Sequence, residues 1–313
     1  MALQVFLFQY HNNDVYRNYV DALGVTVEMV DAIEKIPFLP ISFFKTHEVK
    51  TTDFIPEIVF ESSGTTGANT SRHLVKDASL YRKSFLKAFN HFYGRPAQWC
   101  ILALLPGYLE RENSSLVYMV DDLVQQSVQN GSGFYLHDHD KLYQALVKNE
   151  IIQKPTLLIG VTYALMDFAQ KYSLKLQNTV VMETGGMKGK REEITREEVH
   201  EHLKKQLGLS LIHSEYGMTE LLSQAYSKGR GLFFCPPWMK ILLREYNDPF
   251  AITAVSDNKK PFNGLINIID LANLFSCSFI ATDDVGRLHH NNSFEIMGRR
   301  DMSDIRGCSL LTV

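Results

Sequence analysis

Short apolar runs alternate with amphipathic stretches over the first two thirds of the chain, and this alternation limits the fold more than any other feature. IVF at 58–60, ILALL at 101–105, TLLIG at 156–160 and TVVM at 179–182 are bounded by polar residues and read as buried strands. Between them, Tyr81, Phe85, Ala88 and Phe92 recur at i, i+4, i+7 and i+11, and Val161, Ala164, Leu165, Phe168, Ala169 and Tyr172 form a second stripe. Each stripe gives a helix one apolar face to bury. Strands separated by helices pair in parallel, so the expected fold class is α/β, with mostly parallel sheets flanked by helices. From Lys240 onward the pattern shifts to KILLR, FAITAV and GLINIID with turn residues between them, which predicts a β-rich C-terminal subdomain. The expected division is an α/β core over residues 1–235 and a β-rich unit over 236–313, meeting near Pro236-Pro237.

Composition removes several function classes. Lys+Arg minus Asp+Glu is 32 − 35 = −3, so no excess positive charge is present to bind a phosphate backbone, and nucleic acid is not an expected partner. Hydrophobic residues at 45% and charged residues at 21% describe a globular chain rather than a disordered or fibrous one. Cys100, Cys235, Cys277 and Cys308 are far apart with no CxxC pair, which indicates neither a zinc ribbon nor a disulfide framework and fits a reducing cytoplasm. The N-terminus lacks a basic n-region and a small-residue cleavage site, and no run is long enough to span a membrane, so the chain reads as unprocessed.

The sharpest local feature is Ser62-Ser63-Gly64-Thr65-Thr66-Gly67, directly after the IVF strand. Such residues can arrange backbone N–H groups and hydroxyls around an anion, with glycine allowing close approach. The spacing is not that of the nucleoside-triphosphatase P-loop, which needs four residues between its glycines and then Lys-Ser/Thr. On spacing alone, a phosphate cradle and a plain surface loop fit equally well. Further along come Gly185-Gly186, then His213-Ser214-Glu215-Tyr216-Gly217-Met218-Thr219-Glu220, and then Ala281-Thr282-Asp283-Asp284-Val285-Gly286-Arg287, followed by Gly298-Arg299.

In this order, SSGTTG, YGMTE, TDDVGR and the final Gly-Arg resemble the core motifs of the AMP-forming adenylating superfamily, which includes acyl-CoA synthetases, luciferases and amino-acid adenylation domains. The resemblance implies ATP and Mg2+ as cofactors and a carboxylic acid as substrate. It assigns Ser62, Ser63, Gly64, Thr65, Thr66 and Gly67 to the phosphate loop, with Thr65 and Thr66 on the β- and γ-phosphates. Gly185, Gly186, Tyr216 and Gly217 would bind nucleotide, Tyr216 offering its ring to adenine; Thr219 would hold the α-phosphate. Glu220 would hold Mg2+, a cation that commonly takes one or two carboxylates plus substrate phosphates. Asp284 would accept from the ribose hydroxyls and is preferred to Asp283 for its spacing to Gly286-Arg287, with Arg299 in the hinge-like motif.

Two departures stand out. The superfamily loop usually continues with Pro-Lys, whereas here it reads Ala68-Asn69-Thr70-Ser71-Arg72, which leaves the phosphate cation open between Arg72 and another residue. The chain stops at Val313, so the expectation is that the superfamily's mobile C-terminal domain, with its lysine, is lacking. IPFLPISFFKTHEV at 36–49, LPGYLERENSSLVYM at 105–119, ETGGMKGKREE at 183–193 and IRGCSLL at the end are similar to the LuxE-type acyl-protein synthetases, short relatives that end near this hinge.

That narrower resemblance implies activation of a fatty acid as acyl-AMP, transfer to a cysteine near the C-terminus, and passage to a reductase subunit. Cys308 stands in a suitable place, beside Arg306, Arg299 and Arg300, whose charge favours thiolate. A small apolar terminal residue fits Cys308 as well. Two other readings stay open: a ligase loading coenzyme A or an acyl carrier protein, and a degenerate binding subunit that recognises a nucleotide or acyl group. His137-Asp138-His139-Asp140 reads as a solvated loop rather than a metal site, and His200 and His202 read as surface residues of a Glu/Lys-rich helix.

Overall fold

The computed structural model describes residues 1–62, 70–106, 113–185, 195–248, 250–253 and 261–300. Helices α1 (Ala2–Asn12) and α2 (Asp14–Ala22) precede a short strand β1 (Leu39–Pro40) and a one-turn helix α3 (Phe43–Thr46). A separate antiparallel hairpin follows, β2 (Ile58–Glu61) with β3 (Arg72–Val75). Helix α4 (Ala78–Tyr93) starts where the Asp77 carboxylate accepts from the Ser79 N–H at 2.8 Å, a cap that satisfies one of the free amides of its first turn. It buries Tyr81, Phe85, Ala88 and Phe89, largely the stripe read from the sequence, and stops at Gly94, whose φ of 77° other residues rarely adopt.

The parallel part is built from β4 (Cys100–Leu104), α5 (Ser115–Ser127), β5 (Gly133–Phe134), α6 (His139–Ile151), β6 (Thr156–Val161), α7 (Thr162–Lys171), β7 (Thr179–Thr184), α8 (Arg196–Leu207) and β8 (His213–Tyr216). Its spatial order is β5-β4-β6-β7-β8, every pairing parallel. Every residue of β4 and β6 is buried, as expected of strands covered by helices on both faces.

After β8 the same sheet continues antiparallel. Strands β9 (Ala225–Ser227), β10 (Phe233–Phe234), β11 (Met239–Arg244), β12 (Ile252–Thr253), β13 (Phe262–Asp270), β14 (Phe279–Leu288) and β15 (Phe294–Arg299) extend it in the order β8-β9-β10-β15-β14-β13-β11-β12. The β-rich last quarter is thus hydrogen-bonded into the parallel sheet. FAITAV supplies β12 through Ile252 and Thr253, and its last two residues lie outside the described segments.

Two apolar clusters form the interior. One packs α4, α5, α6, α7 and α8 on the parallel strands. The other packs the N-terminal helices on the antiparallel strands, with Phe6, Tyr16 and Val20 against Phe279, Ile280 and Leu243. Buried amides fix this contact: the Gln9 side-chain N–H reaches the Leu274 carbonyl at 2.9 Å, and its Oε1 accepts from the Ser278 N–H at 2.9 Å. Asn13 caps α2 through the Tyr16 N–H at 3.0 Å and donates to the Ser276 carbonyl at 3.0 Å. Among the described residues no helix is long and apolar enough to cross a membrane.

Candidate active site

The hydroxyl-rich loop connects β2 to β3, beyond the Glu61–Arg72 pair. Ser62 donates its N–H to the Ser71 carbonyl at 3.0 Å and accepts from the Ser71 N–H through Oγ at 2.9 Å, which closes the neck of the loop. Ser63, Gly64, Thr65, Thr66 and Gly67 lie outside the described residues, as do Gly186 and Cys308. The neck leads directly to Glu220, because the Ser71 hydroxyl hydrogen-bonds its carboxyl group. Glu220 is 6% exposed, and burial pushes its carboxyl above the usual range despite that bond. A carboxylate in this condition gains from a bound cation.

Neighbouring Thr219 is held through its backbone. The Thr219 carbonyl accepts from the ring of buried His73 at Nδ1, 2.8 Å away, so His73 carries its proton on Nδ1. Burial drives the His73 pKa down to about 4, which keeps the ring neutral near pH 7. Strand β3 thereby ties the hairpin to the YGMTE turn.

Tyr216 ends β8 and points at β14. Its hydroxyl donates to Asp284 Oδ2 at 2.8 Å, while Arg299 Nε on β15 donates to Asp284 Oδ1 at 3.1 Å. Burial pushes the Tyr216 phenol well above its ordinary value, so it stays a donor. Asp284 is buried and Asp283, one residue earlier, is exposed, as β-strand alternation requires. Asp284 also receives order from its own strand, its N–H donating to Thr282 Oγ1 at 3.2 Å. A Cβ at Gly217 would lie 2.5 Å from Glu215 Oε1, so any larger residue there would have to displace the Glu215 carboxyl. The structure therefore places Ser62, Thr219 and Glu220 beside the hairpin neck and Tyr216 and Arg299 on Asp284, and the charge of Arg299, which also lowers the Glu220 carboxyl, links the two groups.

A second group lies at the carboxyl ends of β7 and β8, where parallel strands generally place their sites. Glu183 is opposite Ser214 and Thr184 is opposite Glu215, so their side chains alternate between the two faces. Glu183 lies 3.4 Å from Arg196 Nε and 3.5 Å from His200 Nε2. Burial alone would push its carboxyl up, but the His200 hydrogen bond and the Arg196 charge hold it below the usual range. The Thr162 hydroxyl lies 2.9 Å from Glu183 Oε2 and 3.0 Å from the carbonyl of Gly185, which adopts φ 56°. The Thr162 hydroxyl thus links the Gly185 carbonyl to the Glu183 carboxyl.

On the opposite face, the Thr184 hydroxyl donates to Glu215, whose carboxyl burial pushes up to about 7. Sequence reading named Gly185 but missed Thr162, Glu183 and Glu215 around it, although charged residues closing the apolar strand TVVMET were a usable signal. It also misplaced His200, which is buried against Ser214 and Glu183 rather than on the surface, because α8 turns that residue toward the sheet. Asp138 caps α6 by accepting from the Lys141 N–H at 2.9 Å, and among the described residues no group of three or more His, Cys, Asp or Glu is placed to hold a metal ion.

This fold, a parallel sheet running into an antiparallel one, is shared with solved adenylate-forming enzymes. ATP-bound MatB from Rhodopseudomonas palustris superposes with a TM-score of 0.57 over 80% of this chain at 15% identity. A long-chain-fatty-acid-CoA ligase from Archaeoglobus fulgidus does so with a TM-score of 0.53 over 77% of it at 13% identity. The chain spans about half the length of these solved structures, 50% and 51% respectively.

The family is narrower than the fold. The model of the family described as "Acyl-protein synthetase, LuxE" matches residues 1–312, and the chain belongs to that family. A long-chain-fatty-acid–luciferin-component ligase from Vibrio harveyi is 23% identical over 97% of this chain and 84% of its own length. Its counterpart from Aliivibrio fischeri is 23% identical over 99% of this chain and 86% of its own length.

Proposed function

We propose that the chain uses ATP to activate a carboxylic acid, a long-chain fatty acid by analogy with its relatives, as acyl-AMP, and then transfers the acyl group to a thiol. The observation that carries this reading is that Arg299 serves both carboxyls, donating to Asp284, which Tyr216 also holds, and lowering the buried carboxyl of Glu220 at the neck of the hydroxyl loop. Asp284 would take the ribose hydroxyls, the Tyr216 ring adenine, and the loop the phosphates. Glu220 would hold Mg2+, which would offset charge moving onto pyrophosphate. In the first step a carboxylate oxygen bonds to the α-phosphorus and pyrophosphate leaves. In the second a thiolate bonds to the acyl carbon and AMP leaves. The chain's part is to align the groups and exclude water.

In this reading residues 1–235 supply the hydroxyl loop and the YGMTE turn, and residues 236–313 supply Asp284, Arg299 and the acceptor Cys308. The final acceptor would be a reductase partner. A cytoplasmic setting suits Cys100, Cys235 and Cys277, all free thiols. Incubation with ATP, Mg2+ and fatty acid, followed by intact-protein mass spectrometry, should show a hydroxylamine-labile acyl adduct that Cys308→Ser removes. An adduct that persists in Cys308→Ser, or acylation of coenzyme A with none on the protein, would replace this acceptor with another residue or with coenzyme A.

A further inference from the structure

The cations around the site are unequally engaged. Arg299 is committed to Asp284 at 3.1 Å, Arg196 lies 3.4 Å from Glu183, and Arg72 lies 4.0 Å from Glu61. Arg244 is buried with its guanidinium on the Ile266 carbonyl and the Asn267 side chain, and Lys76 sits over the Phe275 ring at 4.4 Å. Lys45 differs from all of them. It is exposed and no carboxylate among the described residues pairs with it, while its charge, like that of Arg299, reaches Glu220.

The placement of Lys45 is fixed from both sides. Just before α3, β1 runs parallel to β14 with Leu39 opposite Ile280 and Pro40 opposite Ala281, and the Ile41 N–H donates to the Ala281 carbonyl at 2.9 Å. Asp284 is three residues further along that strand. On the other side, buried Phe44 meets the His73 ring edge-on at 5.8 Å, and His73 holds the Thr219 carbonyl. Phe43 is held in turn by Tyr19 at 5.6 Å. Helix α3 therefore hangs between the strand of Asp284 and the hairpin that carries the hydroxyl loop. Its backbone is anchored while the Lys45 ammonium, on a flexible stem, is left free to swing.

We propose that Lys45 is a triphosphate-contacting residue, its ammonium binding the β- and γ-phosphate oxygens of ATP between the hairpin neck and Glu220. This rests on the reading of the site as one for ATP. A lysine serves as a compact point charge for phosphate, and here it would stabilise charge gathering on the departing pyrophosphate. It gives a role to the IPFLPISFFKTHEV segment and supplies a cation that the loop sequence lacks.

The test compares ATP with AMP, which lacks the β- and γ-phosphates. Calorimetric titration of the full chain with Mg2+ present should show Lys45→Ala weakening ATP binding roughly ten- to a hundredfold, the scale of one hydrogen bond to a charged group. AMP affinity and melting temperature should stay unchanged, and Lys45→Arg should keep most of the ATP affinity. Equal ATP affinity in wild type and Lys45→Ala, or equal weakening of ATP and AMP, would overturn the assignment while leaving the nucleotide site intact. A wild-type chain that binds neither nucleotide would overturn the site and Lys45's role together.

Discussion

Asp284 has both carboxylate oxygens engaged before any ligand arrives, one by Tyr216 and the other by Arg299. Preorganisation of this kind lowers the ordering cost of binding. Asp284→Ala should therefore weaken AMP and ATP alike by about 1.5–3 kcal/mol, the range for hydrogen bonds to charged groups, as read by calorimetry. Tyr216→Phe keeps the ring and removes only the donor, so it should fall between wild type and Asp284→Ala. Glu220→Ala should slow adenylation roughly a hundredfold or more, the scale of losing one preorganised electrostatic partner, while the fold persists.

Glu215 makes a separate prediction about stability. Its carboxyl is harder to ionise in the folded chain, moving from 4.5 to about 7, so the folded state holds the proton more tightly. That contribution is complete below pH 4.5 and is lost as pH rises through about 7. His73 and His213, both lowered to about 4 by burial, act in the opposite direction over pH 4 to 6.5, where stability rises with pH. Glu215→Gln retains both histidines, so urea midpoints of wild type minus variant should decline from pH 4.5 to 7. A constant difference across that window would contradict the burial account.

At the scale of elements, Asn13 is a single side chain that caps α2 and ties the N-terminal helices to the segment between β13 and β14. Asn13→Ala removes the cap and leaves buried partners unpaired, which should cost about 1–3 kcal/mol in urea unfolding. This tie was not legible in the sequence. The apolar runs and stripes correctly announced β4, β6, β7, α4 and α7, because period reports which face is buried; IVF also forms a strand, β2, but one that is half-buried in an antiparallel hairpin apart from the parallel sheet, because three apolar residues do not say what covers them. Period does not report what covers that face, so the packing of Phe6, Tyr16 and Val20 on strands more than 200 residues away went unread. The motifs likewise named Tyr216, Glu220 and Asp284, whereas Thr162, Glu183, His200 and Glu215 emerge only when β7 and β8 are placed in register. His73 was invisible for the same reason, its role depending on the approach of β3 to Thr219.

At the scale of the whole molecule, one sheet carries both halves of the site: parallel strands deliver Tyr216 and Gly185, and antiparallel strands deliver Asp284 and Arg299. The central claim is that this site joins a carboxylate to AMP. Exchange of labelled pyrophosphate into ATP measures that reversible step directly, without reference to the later acceptor. Label should enter ATP only when Mg2+ and a fatty acid are both present, persist in Cys308→Ser, and collapse in Glu220→Ala. Exchange that needs no carboxylic acid, or a chain that binds ATP yet exchanges no label with acids of any chain length, would contradict the account.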